Sequence, residues 1–314
     1  MPTGAQYQAN RTLSGFAIRY RNSKYIADEV SPVCEVESKS GFYYSFGETD
    51  DFDEYETEAG EEAAVSESKG KRQRNQFDTR PFAHKEFISA EVEEEGDLIG
   101  LPEIDLAVER VTDVVLRKRE VAVATKLTTA ANYPANMKLT VVNKWGTATV
   151  KQIVDVINDA KDAMVEEGFG LQLTLGRTVY RGLSTNANLI AAVVPTKAAA
   201  QLKIEQLAEL LEVDKIVVGK AKRTTKVKQK DTKTFIWGNF AILHFINPKP
   251  SYMGSTGHNV TFRRKLKGLP LRTYLIPNLD KGSDGGTDIK VSMIDDYAHI
   301  VNDQAGYLFS APIA

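Results

Sequence analysis

The chain has 314 residues, of which 42% are hydrophobic and 26% charged, and its net charge is −2. This is an ordinary globular composition, long enough for two lobes, with no overall pull towards nucleic acid or an anionic membrane. A single cysteine, Cys34, excludes a disulfide framework, and no run approaches the roughly 18 apolar residues of a membrane span. The opening MPTGAQYQANRTL lacks the apolar stretch of a signal peptide, so a soluble, unsecreted chain is expected.

Residues 1–12 are polar and read as an arm without its own core. Phe16 to Tyr20 and Val33 to Val36 predict short strands, and Phe42 to Phe46 an aromatic one. Residues 48–62 then hold nine acids, Asp53, Glu54, Glu56 and Glu58 among them, and no base. Residues 69–80 hold five bases, including Arg72 and Arg74, against the single acid Asp78. Phe82 to Ile88 resumes as a strand. The intervening polar segment is too long for a hairpin turn and fits a functional loop and a disordered one equally.

From Glu103 to Ala131 there is no Gly, Pro or Asn, and Ile104, Val108, Val111, Val115, Leu116, Val123 and Leu127 recur at helical spacing. Pro102 suits a first turn, Glu103 and Asp105 complement the positive end of the helix dipole, and Lys126 the negative end. Such a helix is about 40 Å long. Six of its residues are Val, a weak helix former, so packing must hold it and it reads as a spine for separate lobes.

Beyond the spine, Leu139 to Val142 predicts a strand and Trp145-Gly146 a break. Val150 to Val165 has an amphipathic helical pattern that Gly168 can close, and Leu171, Leu173 and Leu175 alternate as in a half-buried strand. Helices are expected over Arg177–Ile190 and Lys197–Leu211, and strands over Ile216–Val218 and Phe235–Ile246, so residues 147–246 form one α/β lobe. The tail reads as strands at Val260–Leu266, Leu271–Ile276, Asp288–Ile294, Tyr297–Val301 and Tyr307–Ala311. They need covering, and the spine is the uncommitted helix. The second lobe is therefore expected to be discontinuous, with the α/β lobe inserted into it.

Little suggests catalysis. The P-loop, nucleophile-elbow, zinc-protease and C-x-x-C motifs are all absent, and the four histidines lack ligand spacing. His244, inside an apolar strand, reads as a satisfied core residue, Cys34 as a small buried hydrophobe, and Asp284 to Asp288 as a turn that lacks the calcium-loop pattern. Residues 91–97 read as a solvated acidic face. No enzyme, cofactor or metal is expected.

Charge is segregated more than the net value suggests. Basic stretches lie at 69–80, at 220–233 with Lys222 and Arg223, and at Arg263-Arg264-Lys265, apart from the acids of 48–62. Residues 220–233 suit either nucleic acid or a charged exposed edge, with no interleaved aromatic to stack on bases. Opposite patches at different places on one surface favour head-to-tail contacts between copies. The expected subunit-interface residues are thus Asp53, Glu54, Glu56, Glu58, Arg72, Arg74, Arg263, Arg264, Lys265, Lys222 and Arg223.

The order of short motifs resembles that of tailed-bacteriophage major capsid proteins of the HK97-type fold. The residues carrying the likeness are Ala27-Asp28-Glu29-Val30-Ser31-Pro32-Val33, Ser40-Gly41-Phe42-Tyr43-Tyr44, Leu116-Arg117-Lys118-Arg119-Glu120, and Leu139-Thr140 before Trp145. Leu175-Gly176-Arg177 ahead of Tyr180-Arg181 and the closing Gly306-Tyr307-Leu308-Phe309 complete it. The resemblance implies an α+β fold with an N-terminal arm (1–15), a discontinuous peripheral domain (16–37, 91–145 with the spine, and 251–314), an extended loop (38–90) and an α/β axial domain (146–250) to which the last residues return. It further implies hexamers and pentamers closing an icosahedral virion shell around double-stranded DNA, assembled in the host cytoplasm. Implied partners are a separate scaffolding protein, a portal and a decoration protein, with no membrane. The alternatives are an encapsulin-like shell packaging an enzyme and a DNA-binding module using residues 220–233.

Overall fold

A computed structural model describes residues 9–20, 22–46, 72–165, 170–193, 201–227, 230–251 and 257–314. The chain opens on a helix, α1 (Arg11–Arg19), where a strand was expected at Phe16–Tyr20 and an arm up to residue 15. Asn10 decides this: its side-chain oxygen accepts the Leu13 N–H at 3.1 Å, and the buried Ser14 and Ala17 share one helical face. Ser14 Oγ then accepts the Thr273 N–H at 2.9 Å, which docks the helix on a sheet edge.

Next come α2 (Ala27–Val30), β1 (Val33–Val36), β2 (Ser40–Phe46), β3 (Arg72–Asp78), β4 (Arg80–Ser89), α3 (Ala90–Ile99) and the spine α4 (Glu103–Thr128). β3 corrects the expected long polar segment, because its residues pair antiparallel with β2 from Ser40–Asp78 to Phe46–Arg72. Pro102 stands just before α4, not in its first turn, and α4 stops three residues short of Ala131. The stop has a physical cause. Asn132 Nδ2 donates to the Lys126 carbonyl at 2.6 Å and the Tyr133 hydroxyl to that of Leu127 at 2.8 Å, satisfying acceptors the helix leaves open.

The chain continues through β5 (Lys138–Thr140), α5 (Val150–Ala163), β6 (Leu171–Gly176), α6 (Arg177–Ser184), α7 (Ala187–Val193), α8 (Ile204–Leu210), β7 (Lys215–Gly219), β8 (Lys222–Val227), β9 (Lys230–Phe235) and β10 (Phe240–Phe245). Thr149 and Gln152 make a reciprocal cap at the start of α5, which ends at Ala163; Gly168 lies outside the described residues. The helix expected over Arg177–Ile190 is two, because Asn186 turns its amide to the carbonyls of Trp145 (2.7 Å) and Ala148 (2.9 Å). The one expected over Lys197–Leu211 is confined, among the described residues, to α8. The strand expected over Phe235–Ile246 breaks at Trp237-Gly238, where Gly238 has φ 56°.

Four strands complete the fold: β11 (Asn259–Arg264), β12 (Leu271–Asn278), β13 (Gly286–Ile300) and β14 (Gly306–Ser310). β13 merges two expected strands. Asp295 and Asp296 look like a break in sequence, yet Asp295 lies buried in mid-strand because two arginines meet it there.

Two main sheets result. The first runs β1-β11-β13-β12, with β4 also pairing β13, and the second runs β5-β14-β10-β6-β7. β6 is paired on both sides in the second, with β10 and β7, and its residues from Gln172 to Gly176 are all buried, where a half-buried strand was expected. The spine serves both. Ala107, Val108, Val111 and Val115 pack with Ile289, Val291 and Met293 of β13, whereas Val123, Ala124 and Leu127 join the core under the second sheet. Each of the valines and leucines among them contributes about 1.5–3 kcal/mol on burial, which offsets the poor helix propensity of valine.

Two glycines permit the close approaches. A Cβ on Gly176 would strike the Gly238 carbonyl, and one on Gly306 the His258 ring. That ring is fully buried at the crossover from β10 to β11, with Nδ1 3.1 Å from the Asn302 carbonyl and Nε2 3.2 Å from the Tyr133 hydroxyl. His244, also buried, meets Thr174 Oγ1 at 2.9 Å, a satisfied core histidine. Burial drives His258 down to about 4, against the pull of the Asn302 carbonyl, and drives His244 well below its ordinary value, with His258 adding to the effect. Both rings are neutral when folded, so below the ordinary value of 6.5 the unfolded chain binds more protons. Stability is therefore present above pH 6.5 and lost as pH falls towards 4, with His258 alone accounting for about 3 kcal/mol. Urea unfolding of the dispersed chain should show a midpoint falling across this window; a flat midpoint would contradict neutral burial.

Candidate assembly surfaces

The β2–β3 ribbon is held at its base by stacked rings. Phe77 lies over Gly41, its ring centroid 4.4 Å from that of Phe262 in β11, and Tyr43 lies 5.3 Å from the same ring. Alternation then turns the other face outward. Phe42 and Tyr44 are exposed there, Arg74 stands opposite Tyr44, and its guanidinium carbon sits 3.6 Å above the Phe42 ring. Asp53, Glu54, Glu56 and Glu58 lie outside the described residues, as does the side chain of Arg72, which begins β3.

The triplet Arg263, Arg264 and Lys265, expected as a basic surface for a neighbour, is largely engaged within the chain. Arg263 Nη2 lies 3.2 Å from Asp295 and 3.4 Å from Asp28, Arg264 Nε donates to the Glu37 carbonyl at 2.8 Å, and Lys265 pairs with Glu35. These partners come from α2, β1, the residue after β1 and β13, and the pairing of β1 and β13 with β11 brings them close. Residue spacing alone does not reveal them.

Beneath lies a charged junction. Arg119, on the buried face of the spine, contacts Asp28 at 2.7 Å and the buried Asp295 at 2.9 Å. Its neighbour Glu120 accepts from the Ala27 N–H (2.8 Å), the Ile26 N–H (3.1 Å) and the Trp237 indole (2.6 Å). Burial pushes the Glu120 carboxyl above the usual carboxylate range, opposed by the Trp237 indole and those amides.

Lys222 and Arg223 open β8 and are exposed, with Lys222 Nζ 4.8 Å from the Phe235 ring. Lys222 also lines a cleft of about 400 Å³ with Lys24, Arg117 and Lys220, where Asp113 is the sole carboxylate. Asp113 is saturated by Arg117, Asn22 (2.9 Å) and Tyr25 (3.0 Å), so the cleft stays cationic. Lys226 and Lys230 fall in the paired strands β8 and β9, but their side chains and Lys228 lie outside the described residues. Cys34 is buried, and among the described residues no group of His, Cys, Asp and Glu could hold a metal ion. No helix there is long and apolar enough to cross a membrane.

Over 304 residues the chain is 26% identical to the major capsid protein of Burkholderia phage BcepMu, covering 95% of this chain and 94% of that one. The chain is thus similar over nearly its whole length to a phage major capsid protein, and its fold is the HK97-type capsid fold. The crystal structure of a phage-related protein from Bordetella bronchiseptica matches this chain with a TM-score of 0.72 at 22% identity over 98% of both chains. The capsid structure of cyanophage P-SCSP1u matches at 0.56 and 13% identity, covering 100% of this chain and 93% of that one. No protein-family model matches. The capsid protein is thus the shell-forming subunit of a tailed phage or phage-like particle, with an icosahedral shell. It resides in the virion capsid, and its family is structural and non-enzymatic.

Apolar residues are exposed as well: Phe42, Tyr44, Leu98, Ile99 and Leu101, the last three in the short run Leu98-Ile99-Gly100-Leu101 that is visible in the sequence. Replacing Arg119 by Met leaves Asp295 buried with Arg263 alone and should cost about 3–5 kcal/mol in urea unfolding, whereas Arg264→Ala should cost less than about 1 kcal/mol. Equal costs would show the junction to be no more than surface pairing.

Proposed function

We propose that copies of this chain assemble as hexamers and pentamers into a shell enclosing double-stranded DNA, each copy laying its β2–β3 ribbon and the acids of 48–62 over an adjacent subunit. The observation that carries this is the ribbon itself, anchored at Tyr43 and Phe77 while Phe42, Tyr44 and Arg74 on its other face are exposed. In this reading the first sheet and the spine form the peripheral domain, residues 146–250 the axial domain, and residues 38–90 the extended loop. β14 pairs with β10 and β5, which supports the return of the last residues to the axial side.

A separate scaffolding protein, a portal and a decoration protein complete the particle. The cationic cleft at Lys24, Lys220 and Lys222 suits the phosphates of packaged DNA, read without sequence preference. Because exposed ion pairs contribute only about 0–1 kcal/mol each, charge sets the register between subunits while apolar burial supplies adhesion.

Electron microscopy of the protein expressed with its scaffold should reveal closed shells; dispersed monomers under every ionic condition would defeat the proposal. Charge reversal at Glu54, Glu56 and Glu58 together should lower the shell yield and leave the circular dichroism of the dispersed chain unchanged.

A further inference from the structure

The first sheet gives one face to the spine and turns the other away from it. Ile289, Val291 and Met293 of β13 pack with the spine, so the alternate residues Asp288, Lys290 and Ser292 project from the opposite side. Strand register sets Lys290 between Tyr274 of β12 and Lys85 of β4, with Arg272 one row to one side and Phe87 one row to the other. Lys290 thus stands directly opposite Lys85, and like charges so placed destabilise a sheet. The carboxylate in these rows, Asp288, is buried and taken up by Lys85 (2.8 Å) and Asn278 (2.9 Å). Lys281 adds a further cation, its Nζ 5.2 Å from the Phe87 ring. Among the described residues, none of Arg272, Lys281 and Lys290 forms an ion pair. The face therefore carries a positive excess that the fold itself does not use.

Three of these cations fall on a line. Arg272 on β12, Lys290 on β13 and Lys281 over Phe87 on β4 follow successive diagonals of the sheet, and diagonal neighbours are about 7–8 Å apart. Alternate side chains of an extended chain are about 7 Å apart. A segment with a carboxylate at every second residue therefore matches the line position by position. Nucleic acid matches it less well. The Arg272 guanidinium lies over Tyr274 and bonds its hydroxyl at 2.8 Å, and Lys281 lies over Phe87, so neither ring is free to stack on a base. A duplex, with one charge per about 1.7 Å of its axis, would also lie against Asp280 and Asp284 in the turn around Lys281, and against Glu91, which Ser283 of that turn holds at 2.8 Å. We infer that this face of β12, β13 and β4 receives an extended acidic segment of a separate polypeptide, whose alternate carboxylates meet Arg272, Lys290 and Lys281. Binding then relieves the repulsion between Lys290 and Lys85 that the empty face retains.

The test is fluorescence anisotropy of the dispersed full chain with a labelled ten-residue peptide of alternating Glu and Thr. Binding should saturate and weaken as salt rises. Lys281→Glu with Lys290→Glu should weaken it by about tenfold or more, because like charges then face the peptide. Lys220→Glu with Lys222→Glu, in the cationic cleft, should leave the affinity unchanged. Lys290→Gln should weaken binding while its urea midpoint equals or exceeds that of the parent, since the pair with Lys85 is relieved. A lower midpoint would make Lys290 a residue that holds the sheet and would overturn the inference. So would a parent that does not bind the peptide, or one that binds it no better than the Lys281 and Lys290 variant. A duplex of about 20 bp that binds more tightly than the peptide, with the same sensitivity to Lys281 and Lys290, would make the face a nucleic-acid surface instead. Glu54→Gln, Glu56→Gln and Glu58→Gln together should leave the peptide affinity unchanged; a gain of about tenfold would make the chain's own acids the occupant. None of these readouts needs particles, so this inference and the shell reading fail separately.

Discussion

Two adjacent residues on the spine, Arg119 and Glu120, determine how the rest of the molecule is arranged. Both are buried, and each reaches a different part of the chain. Arg119 binds Asp28 ahead of β1 and Asp295 within β13, so the first sheet is fixed to the helix through charge. Glu120 takes the Ile26 and Ala27 amides and the Trp237 indole, which leads into β10, so the second sheet is fixed to the same turn. Burying such charges is expensive unless each finds its partner. Geometric specificity follows from that penalty, since few other arrangements would satisfy all of them at once.

That junction has consequences for what remains available outside. Asp28 and Asp295 draw in Arg263, and the pairing of β1 with β11 brings Glu35 to Lys265. A basic triplet that looks like a docking surface in sequence is thereby spent on holding β11 to its neighbours. The charges left for other molecules lie elsewhere: Arg74 on the ribbon, the lysines around the Asp113 cleft, and the acids of α3. A near-neutral total thus hides a division between charges that fold the chain and charges that face outward.

The spine, the insertion of one lobe in the other and most strands were legible because each leaves a periodic apolar pattern, as in Val108 to Leu127 or Leu271 to Ile276. Features set by single polar side chains were not. Asn10 converts an expected strand into α1, and Asn186 divides one helix in two, through hydrogen bonds whose partners are not apparent from the local pattern. Asp295 reads as a strand breaker until Arg119, far away in sequence, neutralises it. The candidate surfaces were half legible for the same reason. Charge is conspicuous in a sequence whether or not it is paired, whereas the exposure of Leu98 or Phe42 becomes visible only once everything that might have covered them has been placed.

This division bears on why the subunit is built from two sheets on one helix. A single compact core would bury the spine on all sides and leave no end of it to a neighbour. Here the helix gives Val108 to Val115 to one sheet and Val123 to Leu127 to the other, and Leu101, just ahead of its first turn, is exposed. The ribbon repeats that arrangement at smaller scale, with Tyr43 and Phe77 committed inward and Phe42 left outward. In the ribbon, alternate residues of one short stretch are divided between those packed against the sheet and those left exposed. A substitution confined to the outward set therefore leaves in place the inward contacts that keep the chain folded.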